Sequence, residues 1–307
     1  GDRQVRDAGI EDEGPQSPGV GRFAALSLAP DGRPGVAYLA VTAGGTGALT
    51  GALRFAEASR PDPRAPADWT FYTVDEAAMP AADPHAPQDL PAAVGLMPAV
   101  ARDADDHAVI AYHDRPAGNL KLARFDAAAG LFAAPVILDG ETAGADTGNV
   151  GQYPALALEA DGTAHVAYVD MGREYGHRLL YVSTRSGTPE VVDDGYRSPD
   201  PATAPAGAPV FHFVGDSSAL VLTGGAPHIA YQDATAFELR LAHRQADGAW
   251  TREVIAGGAQ PFAGAFGFYA RMIPDGGAVV LSSYVIDQHV DPLRYCVEIW
   301  TRSLTIE

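Results

Sequence analysis

The 307 residues carry 21 basic and 39 acidic side chains, a formal charge of −18, and 47% hydrophobic residues, enough for a large core. The negative balance repels phosphate backbones and anionic lipid, which excludes nucleic acid as a partner, and no run of eighteen apolar residues offers a transmembrane helix. The one cysteine, Cys296, excludes an internal disulfide and reads as an inert thiol in the apolar stretch 293–297.

In chain order the sequence breaks into five units. Each opens on a glycine after an apolar residue, at Gly21, Gly95, Gly151, Gly215 and Gly267, with steps of 74, 56, 64 and 52 residues. These steps lie in the range of blade or solenoid repeats. From each glycine a short apolar segment, strand A, runs to a turn pair: Asp31-Gly32, Asp105-Asp106, Asp161-Gly162, Gly224-Gly225 and Asp275-Gly276. Seven residues after the first member of each pair stands Tyr38, Tyr112, Tyr168, Tyr231 or, in the last unit, Ser282. The phrase is fullest at 161–170, Asp-Gly-Thr-Ala-His-Val-Ala-Tyr-Val-Asp, and predicts a β-hairpin of strands A and B. A third segment follows at 53–56, 120–123, 179–182, 239–242 and 293–296, and a fourth at 69–74, 132–138, 189–192 and 250–255.

Four antiparallel strands per unit, repeated without helical periodicity, predict an all-β, five-bladed β-propeller formed by the single domain 1–307. The small residues Ala24, Ala25, Ala99, Ala155, Ala157 and Ala219 in the A strands suit convergence on an axis better than a two-sheet sandwich does. The fifth unit has no fourth segment. Residues 3–9, Arg-Gln-Val-Arg-Asp-Ala-Gly, resemble 252–258 and 189–195, so residues 3–8 are expected to supply the missing outer strand of the last blade and leave no unpaired edge.

Repeats of this form, Gly-x-x-Pro-Ala-Leu-x-Leu followed by Asp-Gly-x-x-His-Val-Ala-Tyr-x-Asp and Leu-Arg-x-Ala, resemble the blades of secreted bacterial β-propeller proteins of unassigned function. They are loosely similar to sialidase-type and tachylectin-like propellers. The resemblance implies a fold over nearly the whole chain, an extracytoplasmic location and a monomer. It implies no catalytic residue.

Function is expected where the repeats differ. The residues after the five glycines vary, and Arg22, Tyr153, Asp216 and Tyr269 are the candidate contacts to a small polar or glycan ligand, or to a protein partner, at one mouth of the channel. Plugging of the channel by the same side chains is the competing reading. The loops expected at that mouth also hold His85, His113, His177, His212 and His289, which with nearby carboxylates form a candidate divalent-metal site for a hydrolase or lyase. No His-x-His or His-x-x-x-His spacing joins them, and solvated loop histidines are the alternative. The recurrent Asp114, Asp170 and Asp233 read as caps of the turn after strand B rather than as calcium ligands or a catalytic acid pair. His165 and His228 read as structural. Gly215-Asp216-Ser217, with Asp287 and His289 as imagined partners, is set aside as an esterase nucleophile because Gly215 is accounted for as a blade start. The long segments 57–68, 75–93 and 193–213 exceed usual loop lengths and are candidate lids.

Overall fold

The computed structural model describes residues 19–44, 47–80, 90–141, 148–172, 176–197, 210–257, 264–287 and 294–303. They form 22 strands and one 3-10 turn at Pro66–Asp68, and divide into two compact units. Residues 3–8, expected to complete the last sheet, lie outside the described residues.

The first unit comprises residues 1–154 and 160–162. Strands β1 (Gly19–Leu28), β2 (Pro34–Ala43), β3 (Leu49–Ala58) and β4 (Trp69–Ala78) form a four-stranded antiparallel sheet in sequential order. The turn between β1 and β2 closes with the Gly32 N–H donating to Ala29 O (2.8 Å), and its φ of +86° is open to glycine without strain. Strand β4 runs past the sequence-predicted end at Val74, so the expected loop 75–93 begins as strand. A bulge between Leu53↔Asp75 and Arg54↔Thr73 tucks Val74 into the core, and pairing continues to Thr50↔Ala78. The second sheet holds β5 (Val94–Arg102), β6 (Ala108–Asp114), β7 (Asn119–Asp126), β8 (Leu131–Phe132) and β9 (Val136–Asp139). Its outer strand, expected to be continuous over 132–138, is broken where Pro135 has no N–H to give the ladder.

The two sheets share one core. Leu53, Phe55 and Val74 meet Ile110, Tyr112 and Phe132, and the Phe55 and Phe132 rings pack edge to face at 5.7 Å. Each such buried side chain contributes about 1.5–3 kcal/mol. The same junction carries a polar tie. Tyr112 donates its hydroxyl to Asp75 (2.7 Å), and Lys121 bridges Asp75 (3.1 Å) and Asp114 (2.6 Å). Burial and the neighbouring Asp75 push the Tyr112 hydroxyl well above the ordinary phenol range, so it stays a donor.

The second unit comprises residues 155–159 and 163–307. Its sheets are β10 (Val150–Leu158), which belongs to this unit from Ala155 on, with β11 (Ala164–Asp170), β12 (Arg178–Ser183) and β13 (Glu190–Asp193); the ribbon of β14 (Tyr196–Arg197) and β15 (Val210–Phe211); β16 (Val214–Thr223) with β17 (Ala226–Asp233), β18 (Glu238–Arg244) and β19 (Trp250–Ala256); and β20 (Gly264–Asp275) with β21 (Ala278–Asp287) and β22 (Arg294–Ser303). Tyr181, Val192, Ile229 and Tyr231 form one inter-sheet core, and Leu241, Ile255, Phe266 and Leu281 another. The polar tie recurs here: Tyr231 donates to Asp193 of the preceding sheet (2.8 Å), with Arg240 in the place of Lys121. Cys296, in β22, is half-buried and free.

The aspartates ending three of the B strands cap the turn that follows. Asp114, Asp170 and Asp233 accept from the N–H of Ala117, Gly172 and Ala236, and their other oxygen faces a cation at the start of the next strand, Lys121, Arg178 or Arg240. Asp287 and Arg294 repeat the ion pair at 3.0 Å.

Candidate functional site

Every A strand opens with the same backbone departure. The glycines Gly21, Gly95, Gly151, Gly215 and Gly267 have φ between +90° and +101°, and two residues on Phe23, Met97, Tyr153, Ser217 and Tyr269 sit at φ between +49° and +55°. Left-handed backbone costs an L-residue roughly 1–2 kcal/mol, and such strain persists only where the surroundings impose it. At three of the glycines close approach also excludes a side chain. An added Cβ would lie 2.6 Å from Leu53 Cβ at Gly95, 2.7 Å from Leu120 Cα at Gly151 and 2.9 Å from Gln232 Cβ at Gly267. The residue between the two departures keeps its pairing, Arg22↔Leu39, Leu96↔His113, Asp216↔Gln232 and Phe268↔Tyr284, with a register shift on either side.

The four predicted ligand contacts occupy these stations. Arg22 and Tyr153, both half-buried, belong to the first unit; Asp216, half-buried, and Tyr269, exposed, belong to the second. Tyr269 packs beside Tyr284, which stacks on Tyr295. Among the predicted metal ligands, His85 and His289 lie outside the described residues. His113, in the first unit, is fully buried with Nδ1 3.0 Å from Val150 O. Among the described residues no three His, Cys, Asp or Glu side chains converge as a metal site requires.

Two residues predicted for different purposes meet in the second unit. His177 precedes β12, and its Nδ1 lies 3.7 Å from Oδ1 of Asp216, beyond hydrogen-bond length. Both atoms are buried and neither has a hydrogen-bond partner among the described residues. The imidazole packs edge to face on Phe213 at 4.8 Å. Its backbone is tied to two described neighbours: the His177 N–H donates to His212 O (3.1 Å), and the His212 N–H to Gly195 O (2.8 Å).

The segments that seat His177 also carry an ion network. Asp193 and Asp233 are both 0% exposed. Arg197 spans them, bidentate on Asp193 (3.0 and 3.0 Å) and 2.9 Å from Asp233. His212 holds Asp233 through Nδ1 (2.9 Å), which accounts for that histidine without a metal. Burial works to raise the Asp193 carboxyl and to lower the Arg197 guanidinium; their mutual attraction outweighs it, leaving Asp193 below the usual carboxylate range and Arg197 above its ordinary value. The network thus fixes the β14–β15 ribbon, whose Tyr196 is exposed against Phe211. Exposed Phe213 and Phe237 stand on the adjoining segments, where Phe213 O accepts from the Ala234 N–H.

Chemically, the arrangement sets an imidazole nitrogen 3.7 Å from a carboxylate oxygen, with exposed aromatic rings on the segments beside them. Sequence reasoning singled out Asp216 and His177 but missed Asp193 and Arg197, since an ion pair bridging two sheets leaves no local pattern. The recurrence of Tyr112 and Tyr231 was the available signal, because each hydroxyl ends on an aspartate of the preceding sheet.

The sequence matches no protein-family model and no curated protein. Its fold is similar to the α-L-arabinanase of Penicillium chrysogenum solved with arabinobiose, with a TM-score of 0.52 and 12% identity over 90% of this chain and 76% of that one. A thermostable family-43 glycoside hydrolase (TM-score 0.47, 10% identity, 96% of each chain) and an ulvan lyase (TM-score 0.45, 12% identity, 91% of this chain and 69% of that one) also align. At these identities the likeness reaches the architecture alone, and with the four-stranded antiparallel sheets it gives this chain the β-propeller fold.

Proposed function

We propose that this protein binds a glycan and cleaves it, as a hydrolase or lyase, with His177 and Asp216 as the proton-transferring pair. The observation that carries the reading is the 3.7 Å approach of two buried atoms without hydrogen-bond partners, one on an imidazole and one on a carboxylate. The arabinanase of like fold supports a glycan as the substrate class, and the exposed rings of Tyr196, Phe213 and Phe237 suit the apolar faces of sugars. Arg22, Tyr153 and Tyr269 are proposed as ligand contacts at the equivalent stations of the other repeats. The reading places the protein outside the cytoplasm as a monomer, one domain of five blades closed by residues 3–8.

Arabinan, galactan and ulvan, incubated with the purified protein, are the test: new reducing ends mark hydrolysis and an unsaturated product marks elimination. Asp216→Asn and His177→Gln are each expected to lower the rate by a factor of about 10²–10⁴. Glycan binding without cleavage, unaffected by both variants, would move the reading to a binding module. A stoichiometric transition metal in the purified protein, lost in His177→Ala, would instead favour metal-dependent catalysis drawing on His85, His113, His212 or His289.

A further inference from the structure

At the opposite end of sheet β16–β19, where β16 turns into β17, lies a recess of about 730 Å³ lined by Thr223, Gly225, His228, His243, Thr251 and Glu253 among others. Its volume is within the roughly 300–1,000 Å³ of small-molecule sites. The preceding repeat acts as an internal control for what this place normally does. There His165 is clamped at both ring nitrogens, Nδ1 against the Tyr181 hydroxyl (2.5 Å) and Nε2 against Glu159 (2.8 Å).

His228 occupies the same station: it pairs across to His243 as His165 pairs to Ser183. Both clamps have been replaced. Leu241 stands in register where Tyr181 stands, and Thr223 follows Gly215 by eight residues as Glu159 follows Gly151. His228 is consequently held at Nε2 alone, by Thr223 Oγ1 at 2.6 Å, while Nδ1 has no partner and the ring stacks on His243. A ring held at one nitrogen can turn to present the other to a ligand, which a ring clamped at both cannot.

The surroundings define the ligand chemistry. The Arg244 guanidinium is held by Glu190 through two nitrogens, Arg252 Nη1 faces Val192 O and Asp193, and Glu253 on the rim opposes an anion. No three His, Cys, Asp or Glu groups converge for a metal among the described residues. Burial, then His243, lowers the His228 pKa to about 4, which keeps the ring neutral at pH 7. What remains are the neutral His228 ring, the His243 ring and the hydroxyls of Thr223 and Thr251, the latter 2.8 Å from a His243 nitrogen. A hydroxyl both donates and accepts, so it satisfies a neutral imidazole in either tautomer.

We propose that this recess is a second binding site, for a neutral, hydroxyl-rich ligand the size of one sugar residue, held between His228, His243 and the two threonine hydroxyls. Galactose titrated into the full chain, followed by NMR of the histidine rings, tests it. Saturable shifts of the His228 and His243 signals at millimolar galactose are expected, while His177 and His212 report separately on the site at the other end. A failure of the glycan-cleavage reading therefore leaves this readout intact. Thr223→Glu with Leu241→Tyr restores the clamps of the preceding repeat and is expected to weaken binding at least about tenfold, a change of roughly 1.4 kcal/mol. Thr251→Ile, at an exposed rim position, narrows the recess without touching the core and is expected to do the same. Unmoved His228 and His243 signals, movement only with sodium sulfate or zinc chloride, or full galactose affinity in a folded variant of either kind overturns the proposal.

Discussion

Asp193 gathers partners from several strands of the second unit. It takes Arg197 at both oxygens, the Gly195 N–H and the Tyr231 hydroxyl, with Arg240 and Arg252 at 3.6 and 3.5 Å. Breaking a buried pair by removing one charge costs about 3–5 kcal/mol, so Asp193→Asn is expected to lower unfolding stability by that amount in chemical denaturation at pH 7. Because the folded carboxyl titrates below its unfolded value of about 3.9, the stabilisation is complete above that pH and fades as pH falls through the lower, folded value. The gap between the two proteins should therefore close on acidification. His228 has the complementary signature: its folded pKa of about 4 lies below the ordinary 6.5, so stability declines as pH drops between the two, and His228→Gln is expected to flatten that part of the curve. Neither behaviour was legible in the sequence, where Asp193 closes an unremarkable strand and His228 looks like His165. Only the partners brought by other strands separate them.

At the scale of the element, the A-strand opening shows what a repeat discloses and what it conceals. The glycines were legible from their period, and at Gly95, Gly151 and Gly267 the neighbouring strand leaves no room for a Cβ. The left-handed residues two positions on were not, since Phe, Met, Tyr and Ser carry no preference for positive φ. The two kinds of constraint are separable by mutation. Gly95→Ala adds a clash with Leu53 to the backbone strain and is expected to lower the melting temperature far more than Gly21→Ala, where no described atom lies within 4 Å of the new methyl group and only roughly 1 kcal/mol of backbone strain remains. Equal losses would show that conformation alone selects glycine here. Strand ends were less legible: the bulge carrying Val74 and the break at Pro135 depend on partners rather than on local propensity.

For the whole molecule, the class of fold was legible because four short strands recur around a fixed tyrosine, and each tyrosine now has a physical reason where its partner is seen, in Tyr112 with Asp75 and Tyr231 with Asp193. The location of chemistry was half legible. Variation after the glycines pointed to Asp216, and the loop face pointed to His177, but their meeting depends on the hydrogen bonds that seat His177 against the loop 193–213. The last sheet has three strands among the described residues, and β22 leaves Tyr295, Val297 and Ile299 exposed. An edge of that kind invites pairing with another strand. If residues 3–8 provide it, deletion of residues 1–12 should lower the melting temperature sharply, and an unchanged transition would remove the closure.

The five left-handed stations have a further consequence for how such a molecule can change. One backbone shape accepts phenylalanine, methionine, tyrosine and serine in turn, so it behaves as a socket whose fitting is independent of what is plugged into it. Side chains there can be exchanged between repeats with little disturbance to the strand, and recognition can be retuned while the scaffold is inherited unaltered.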